Sequence, residues 1–231
     1  MIRPAKRLML VLGVALLALL GTATQAQANG QQRLVERARL VLDSFVEDPN
    51  FENMRVYVQN AYAVLIVPDM LQASFVVGAE HGIGILLTRD PQSGVWGRPV
   101  FYDLYGGSVG LQIGGKSSDV VFTIMNENAV KKLIRDGLRL GADVEVAAGR
   151  LGSGVGAGTT TQFGEDIYVF AKSKGLFVGM SLEGTVLSPR ADWNEAYYGR
   201  KITPEEILER NERVMANAAE VAALHRSLMR F

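Results

Sequence analysis

The chain has 231 residues, 48% of them apolar, and carries 24 basic against 24 acidic side chains. So even a balance excludes a general polyanion binder, because no basic excess is available to neutralise nucleic-acid phosphates. The absence of cysteine excludes disulfides, thiolate catalysis, thiolate zinc sites and an acylated cysteine, and two histidines, His81 and His225, are too few for a multi-histidine metal centre.

In chain order, Arg3, Lys6 and Arg7 form a basic head before the apolar run Leu8 to Leu20, and Thr24-Gln25-Ala26-Gln27-Ala28 ends in A-x-A spacing. This pattern predicts a secretory signal peptide over residues 1–28, cleaved after Ala28. The apolar run is shorter than the ~20 residues a bilayer span needs; a retained anchor is the alternative. The expected location is the periplasm, with possible membrane association, away from cytosolic nucleotides. The remainder suits one domain: N-terminal helices over 29–60, a β-rich core over 61–190, and a C-terminal linker and helix over 191–231.

Val35, Ala38, Val41, Leu42 and Phe45 recur at helical spacing and predict a helix over Gln31–Glu47. Asp48-Pro49-Asn50 stops it, and a short helix follows over Phe51–Asn60. Ala61–Val67 reads as a buried strand. Asp90-Pro91-Gln92-Ser93-Gly94 is a turn joining Ile83–Thr88 to Val95–Tyr102. Tyr105–Ile113 and Val120–Met125 read as strands separated by a loop at Lys116-Ser117-Ser118. Asn126 is placed to cap a helix bearing Val130, Leu133, Ile134 and Leu138. Asp143–Ala148 reads as a strand, residues 149–161 as a Gly/Thr-rich connection, and Ile167–Ala171 with Leu176–Leu182 as a hairpin around Ser173-Lys174-Gly175. Thr203-Pro204-Glu205-Glu206 combines an N-cap, a proline at the first helical position and a capping-box glutamate. Ile207, Val214, Val221 and Leu228 then repeat every seven residues, a face expected to pack on the core or on a second copy. The fold class is α+β: a mainly antiparallel, twisted, Gly-rich sheet with helices at both ends.

Gly110 to Ser117 matches the phosphate-loop pattern G-x-x-x-x-G-K-S letter for letter. The mechanism needs a helix to open directly after it, whose amides hold the phosphates. Ser118-Asp119-Val120-Val121-Phe122-Thr123-Ile124 is β-branched and aromatic instead, so the motif reads as a β-turn and no nucleotide or other cofactor is expected. The alternating glycines 152, 154, 156 and 158 lack the dinucleotide fingerprint. No G-x-S-x-G elbow is present. Asp119, Asp143, Asp166 and Glu183 are a conceivable carboxylate cluster, with turn capping the default for the aspartates. His81, beside Glu80, is the candidate acid/base group, and His225 reads as a solvated helical residue.

The block from Ala61 to Gly184 resembles the SYLF domain. The resemblance is carried by Ala63-Val64-Leu65-Ile66-Val67-Pro68, Gly82-Ile83-Gly84-Ile85-Leu86-Leu87, Trp96-Gly97-Arg98-Pro99-Val100-Phe101-Tyr102, Gly110–Gly114 with Asp119-Val120-Val121, Leu140-Gly141-Ala142-Asp143, and Asp166-Ile167-Tyr168 followed by residues 173–184. Their order and spacing make it specific. One departure is Phe75–His81, where many members carry more glycine. The resemblance implies a lipid-binding module without catalysis; in eukaryotic members it implies phosphoinositide binding through basic residues and an amphipathic N-terminal segment, and an actin-regulating role that an exported chain has no occasion to use. Here the expected ligands are envelope phospholipids.

The sheet is expected to offer an apolar groove for acyl chains, with Arg33, Arg37, Arg39, Arg98, Lys116, Lys172 and Lys174 at its mouth to meet headgroup phosphates. Two other readings stand beside it: an envelope scaffold that self-associates through the C-terminal helix, and a hydrolase using His81 with a nearby carboxylate.

Overall fold

The computed structural model describes residues 30–149, 164–173, 182–209 and 218–231, with side chains undescribed at 74–77, 108–114, 209 and 218. The leader at 1–28, the Gly/Thr-rich connection, Lys174, the strand at Leu176–Leu182 except for its last residue, and Val214 lie outside the described residues. Among these residues the chain builds a six-stranded sheet and flanking helices, an α+β fold.

Helix α1 (residues 30–46) buries Leu34, Val35, Ala38, Val41, Leu42 and Phe45, the stripe its spacing predicts. Asp48 ends the segment by accepting from the Asn50 amide at 3.1 Å, which starts a 3-10 turn at Pro49–Phe51. Helix α2 (Met54–Asn60) follows, burying Met54, Tyr57 and Val58.

The expected series of short strands is replaced by two very long ones: β1 (Ala63–Thr88) and β2 (Val100–Ile124), antiparallel over almost their whole length. The predicted loop at Lys116–Ser118 and the breaks near Ala73 and Tyr105 are ladder residues instead, because Gly-rich sequence reads locally as loop although each glycine here is paired. The turn between the strands is the predicted one: Asp90 Oδ1 accepts from the amides of Gln92 and Ser93, an Asx turn.

A straight strand of 26 residues would reach ~85 Å, so the ribbon must bend. The register shifts between Val67 and Met70 and between Phe75 and Val76 let it, as bulges do. The second half of β1 is laid over the first. Gly82 and Gly84 make the close approach possible: a Cβ on Gly84 would meet the Ile66 carbonyl oxygen and Val67 Cγ2 at 2.8 Å, and one on Gly82 would meet Val67 Cγ1 at 2.6 Å. Residues 63–67 are wholly buried, as a continuous apolar run covered on both faces requires.

Past Ile124, Asn126 caps α3 (Glu127–Asp136) by accepting from the Asn128 amide at 2.8 Å. Strand β3 (Leu138–Arg139) and strand β6 (Val186–Pro189) pair with each other, and β6 pairs with β2 at Tyr102–Tyr105. The predicted Asp143–Ala148 strand shrinks to β4 (Val146–Ala148), because Asp143 turns the chain by accepting from the Arg139 amide. β4 runs parallel to β5 (Ile167–Ser173), which pairs with Ser118–Ile124 of β2. The second edge of β2 is thus shared, β6 at one end and β5 at the other.

Helix α4 (Ala191–Tyr198) stands in the stretch expected to be linker. It ends the sheet: buried Asn194 accepts from the Phe101 amide at 2.9 Å, and Tyr197 packs on Phe101. The predicted capping box opens α5 (Pro204–Glu209), with Glu206 N donating to Thr203 Oγ1 and Thr203 N to Glu206 Oε2. α6 (Ala218–Leu228) lies across α1: Ser227 and Arg230 both donate to Asp43. Ile207, Leu224 and Leu228 are buried in the chain's own core, so these positions of the heptad face are already covered without a second copy.

Candidate lipid-facing site

The basic residues expected at a headgroup site fall into two regions. Arg33, Arg37 and Arg39 lie on α1. Arg33 and Arg37 are exposed; Arg37 pairs with Asp69 of β1. Arg39 is held between Glu36 and Asp43 at 2.6 Å each, and the Glu36 hydrogen bond raises its pKa. Lys172 on β5 reaches the other end of α1, donating to the Ser44 carbonyl at 3.1 Å and pairing with Asp48 at 2.9 Å; its ammonium lowers the Asp48 pKa. Lys116 stands on β2 opposite Gln72, three residues beyond Asp69. Arg98 is remote from this group: it is a charge near the buried Tyr198, whose hydroxyl donates to the Pro99 carbonyl. Lys174 lies outside the described residues.

The expected apolar groove within the sheet is not where the glycines are. Gly82 and Gly84 receive Val67 and Met70, and Gly106 receives Glu80, whose Oε1 would stand 2.5 Å from a Cβ there. At these three positions glycine serves close packing. The cavity of about 380 Å³ beside the 3-10 turn is of mixed lining, with Glu47, Asp48, Glu52, Arg55 and Arg230 alongside Val46, Pro49, Phe51 and Phe231.

Apolar surface is found instead on the outside of the bent ribbon. Gln72 Nε2 donates to Glu80 Oε2 at 2.8 Å. Eight residues of straight strand would separate them by ~26 Å, so the ribbon doubles back between them, forming an arm. Inside it, buried Glu80 accepts from Gln72 and from the buried hydroxyl of Thr185. On the outside, Leu71 is 59% exposed and Tyr105 49% exposed, and Ala73, Ala79 and Gly107 are exposed with them. The arm is inverted relative to a ribbon in water in that Gln72 and Glu80 face in while Leu71, Ala73, Ala79 and Tyr105 face out, with His81, opposite Tyr105, the polar side chain among them. Because strand side chains alternate, the inward turn of Gln72 and Glu80 puts Leu71, Ala73 and Ala79 outside. The alternation is visible in Leu71-Gln72-Ala73, but which face is outer follows only from the Gln72–Glu80 contact, and sequence reasoning missed these residues. Leu40, 52% exposed, lies one turn beyond Arg37 on α1, so basic and apolar side chains share this flank.

His81 does meet a carboxylate: Nε2 is 3.2 Å from Asp103 Oδ1. Its side chain is 57% exposed, and Asp103 also faces Arg190 Nε at 3.6 Å. The pair stands open to solvent, without the water exclusion that strengthens an acid/base group. His225, expected to be solvated, is half-buried, with Nε2 donating to the Gly97 carbonyl at 2.8 Å; burial lowers its pKa. The correction arises because α6 lies against the turn before β2. The aspartates are dispersed into backbone roles: Asp119 accepts from the Asp69 amide, Asp143 from Arg139, Asp166 from Glu145. Among the described residues no three His, Asp or Glu side chains are grouped to hold a metal, and no helix is long and apolar enough to cross a membrane. Residues 110–117 lie within β2, so no helix follows Lys116 and the phosphate-loop geometry is absent there.

A curled antiparallel ribbon, sealed by α4 and flanked by α1 and α6, defines an α+β module whose distinctive surface is an inverted arm. The family model described as "Las17-binding protein actin regulator" (Ysc84) matches residues 105–231, more than half of the chain, and the chain belongs to that family, the one to which the SYLF resemblance pointed. It is 37% identical over 146 residues to SH3 domain-containing YSC84-like protein 1 of Xenopus laevis, covering 62% of this chain and 43% of that protein. It is 33% identical over 181 residues to protein YSC84 of Saccharomyces cerevisiae, covering 75% and 38%, and 32% identical over 147 residues to LAS seventeen-binding protein 3 of the same species, covering 62% and 32%. The chain spans less than half the length of these relatives.

Proposed function

We propose that this protein binds the surface of phospholipid membranes without catalysing a reaction, and that it does so in the cell envelope after export. The observation that carries the reading is the inverted arm, with Leu71 and Tyr105 exposed on its outside, beside the α1 flank bearing Arg33, Arg37 and Leu40. Apolar side chains gain by leaving water at ~25 cal/mol per Å², and basic groups near an anionic surface add ~1 kcal/mol each. The two together suit an interface of headgroups over hydrocarbon. The test is co-sedimentation of the purified protein with vesicles of phosphatidylglycerol and phosphatidylethanolamine. Binding is expected to weaken with salt and to fall at least tenfold in an Arg33→Glu, Arg37→Gln variant. A protein that pellets with no such vesicle overturns the reading. The family description favours a second one, binding to an actin-regulating partner. A chain that co-pellets with purified actin filaments and not with vesicles would establish that instead. Export is checked by fractionation and N-terminal sequencing, with the mature chain expected to begin at Asn29.

A further inference from the structure

We infer that Asp69 holds, in the lipid-free protein, the place of a headgroup anion against Arg37, and that a phospholipid phosphate binds there by displacing it. The inference rests on the lipid-surface reading and adds where on the α1 flank the headgroup is held and what the protein sets against it. Asp69 reaches α1 because the ladder is interrupted beside it. Pro68 has no amide hydrogen to give a neighbouring strand. Between the pairs Val67–Val120 and Met70–Ser118, two residues of β1, Pro68 and Asp69, face the single residue Asp119 of β2, which is a bulge. Among the described residues Asp69 is the one non-glycine in the left-handed region, with φ 47°. Its amide donates to Asp119 Oδ1 at 3.0 Å, which fixes the kink, and its carboxylate pairs with the Arg37 guanidinium.

The backbone does not call for a carboxylate at this position. Glycine takes a positive φ freely, and asparagine tolerates it as aspartate does. Stability does not call for one either. The side chains of Arg37 and Asp69 are 52% and 34% exposed, and ion pairs in contact with water contribute little. Asp119 moreover brings a second carboxylate beside the first. What the pair does have is the chemistry of the proposed ligand. A carboxylate and a phosphodiester each offer a guanidinium two oxygen acceptors, so Asp69 and a headgroup compete for Arg37. A weak pair open to solvent is one that can be exchanged. Arg33 and Leu40, both exposed, lie one turn before and one turn after Arg37 on α1, where residues three and four apart are neighbours. They set a second cation and an apolar contact beside the exchange point, matching a phosphate with its acyl chains below it.

Asp69→Asn removes the charge and keeps a side chain that tolerates the left-handed backbone. On phosphatidylglycerol/phosphatidylethanolamine vesicles this variant is expected to bind about fivefold more tightly than the parent, the gain of one uncovered basic group. In an Arg37→Gln background the same substitution is expected to change binding less than about twofold, because the partner for which it competes is gone. A second measurement needs no variant of Asp69. The ¹⁵N signals of the Arg37 guanidinium in the parent are expected to shift on addition of dihexanoyl phosphatidylglycerol below its micelle concentration, and to stay in place with inorganic phosphate at the same concentration. If the parent binds vesicles but those signals do not move, or if Asp69→Asn brings no gain or the same gain in both backgrounds, Asp69 is no competitor and surface binding survives alone. Signals that move as far with inorganic phosphate as with the lipid would make a free anion the occupant and overturn the headgroup assignment. Failure of parent and variant to bind any vesicle overturns both proposals.

Discussion

His225 stands half-buried with its Nε2 proton committed to the Gly97 carbonyl. Burial holds its pKa below the ordinary 6.5, because the cation loses hydration there. Between that folded value and 6.5 the unfolded chain binds the extra proton, so stability rises with pH across this window. The contribution is fully present above about 6.5 and is lost as pH falls towards the folded value. Thermal midpoints at about pH 7.5 and about pH 5 are expected to differ less in His225→Gln than in the parent, since glutamine keeps an N–H donor and does not titrate. Carboxylates such as Asp48 and Asp143, whose pKa values are lowered by Lys172 and Lys132, contribute in both proteins and cancel in the comparison. Nothing in the heptad pattern of α6 distinguished this histidine from a solvated one; the carbonyl that selects it comes from a turn 128 residues away.

At the scale of elements, what was legible was local. The Asp90 turn, the Asn126 cap and the Thr203–Glu206 capping box all form as their residues dictate, because donor and acceptor lie within four positions of each other. Asn126 does more than cap. It accepts from Asn128 N and donates through Nδ2 to Asp166 at 2.6 Å, tying α3 to the start of β5. Replacing Asn126 with alanine is therefore expected to cost more than Thr203→Ala, roughly 2 kcal/mol against roughly 1 kcal/mol, read from urea unfolding midpoints. Equal losses would mean the Asp166 tie contributes nothing. The long strands were illegible for the converse reason. Glycine and serine weaken a strand locally, and only a partner strand running alongside for some 20 residues makes β1 and β2 continuous.

The whole molecule is organised by the folding of one ribbon over itself, and backbone meets backbone there at the contact of Gly84 with the Ile66 carbonyl, beside Val67. A methyl group there would meet atoms at 2.8 Å, and the nearest is backbone, which cannot swing aside. Gly84→Ala is expected to destabilise by roughly 1–3 kcal/mol, with the thermal midpoint falling ~2–4 °C per kcal/mol. A variant as stable as the parent would show that the two layers have room to part. The same folding sorts the headgroup candidates, gathering Arg33, Arg37, Arg39 and Lys172 around α1 and leaving Arg98 on the other half. It also leaves Leu71 and Tyr105 facing outward on the arm.

Composition, apolar periodicity and turn chemistry by themselves determined the α+β class, the buried run at residues 63–67, the helix caps and the rejection of the phosphate loop, since each depends on neighbours in sequence. Which face of the ribbon is outer, where it doubles back, and which side chains are thereby left in solvent were decided only by the tertiary structure. A strand's two faces are equivalent until something packs against one of them, and here the Gln72–Glu80 contact and the α1 flank, both made by distant or doubled-back chain, break that equivalence.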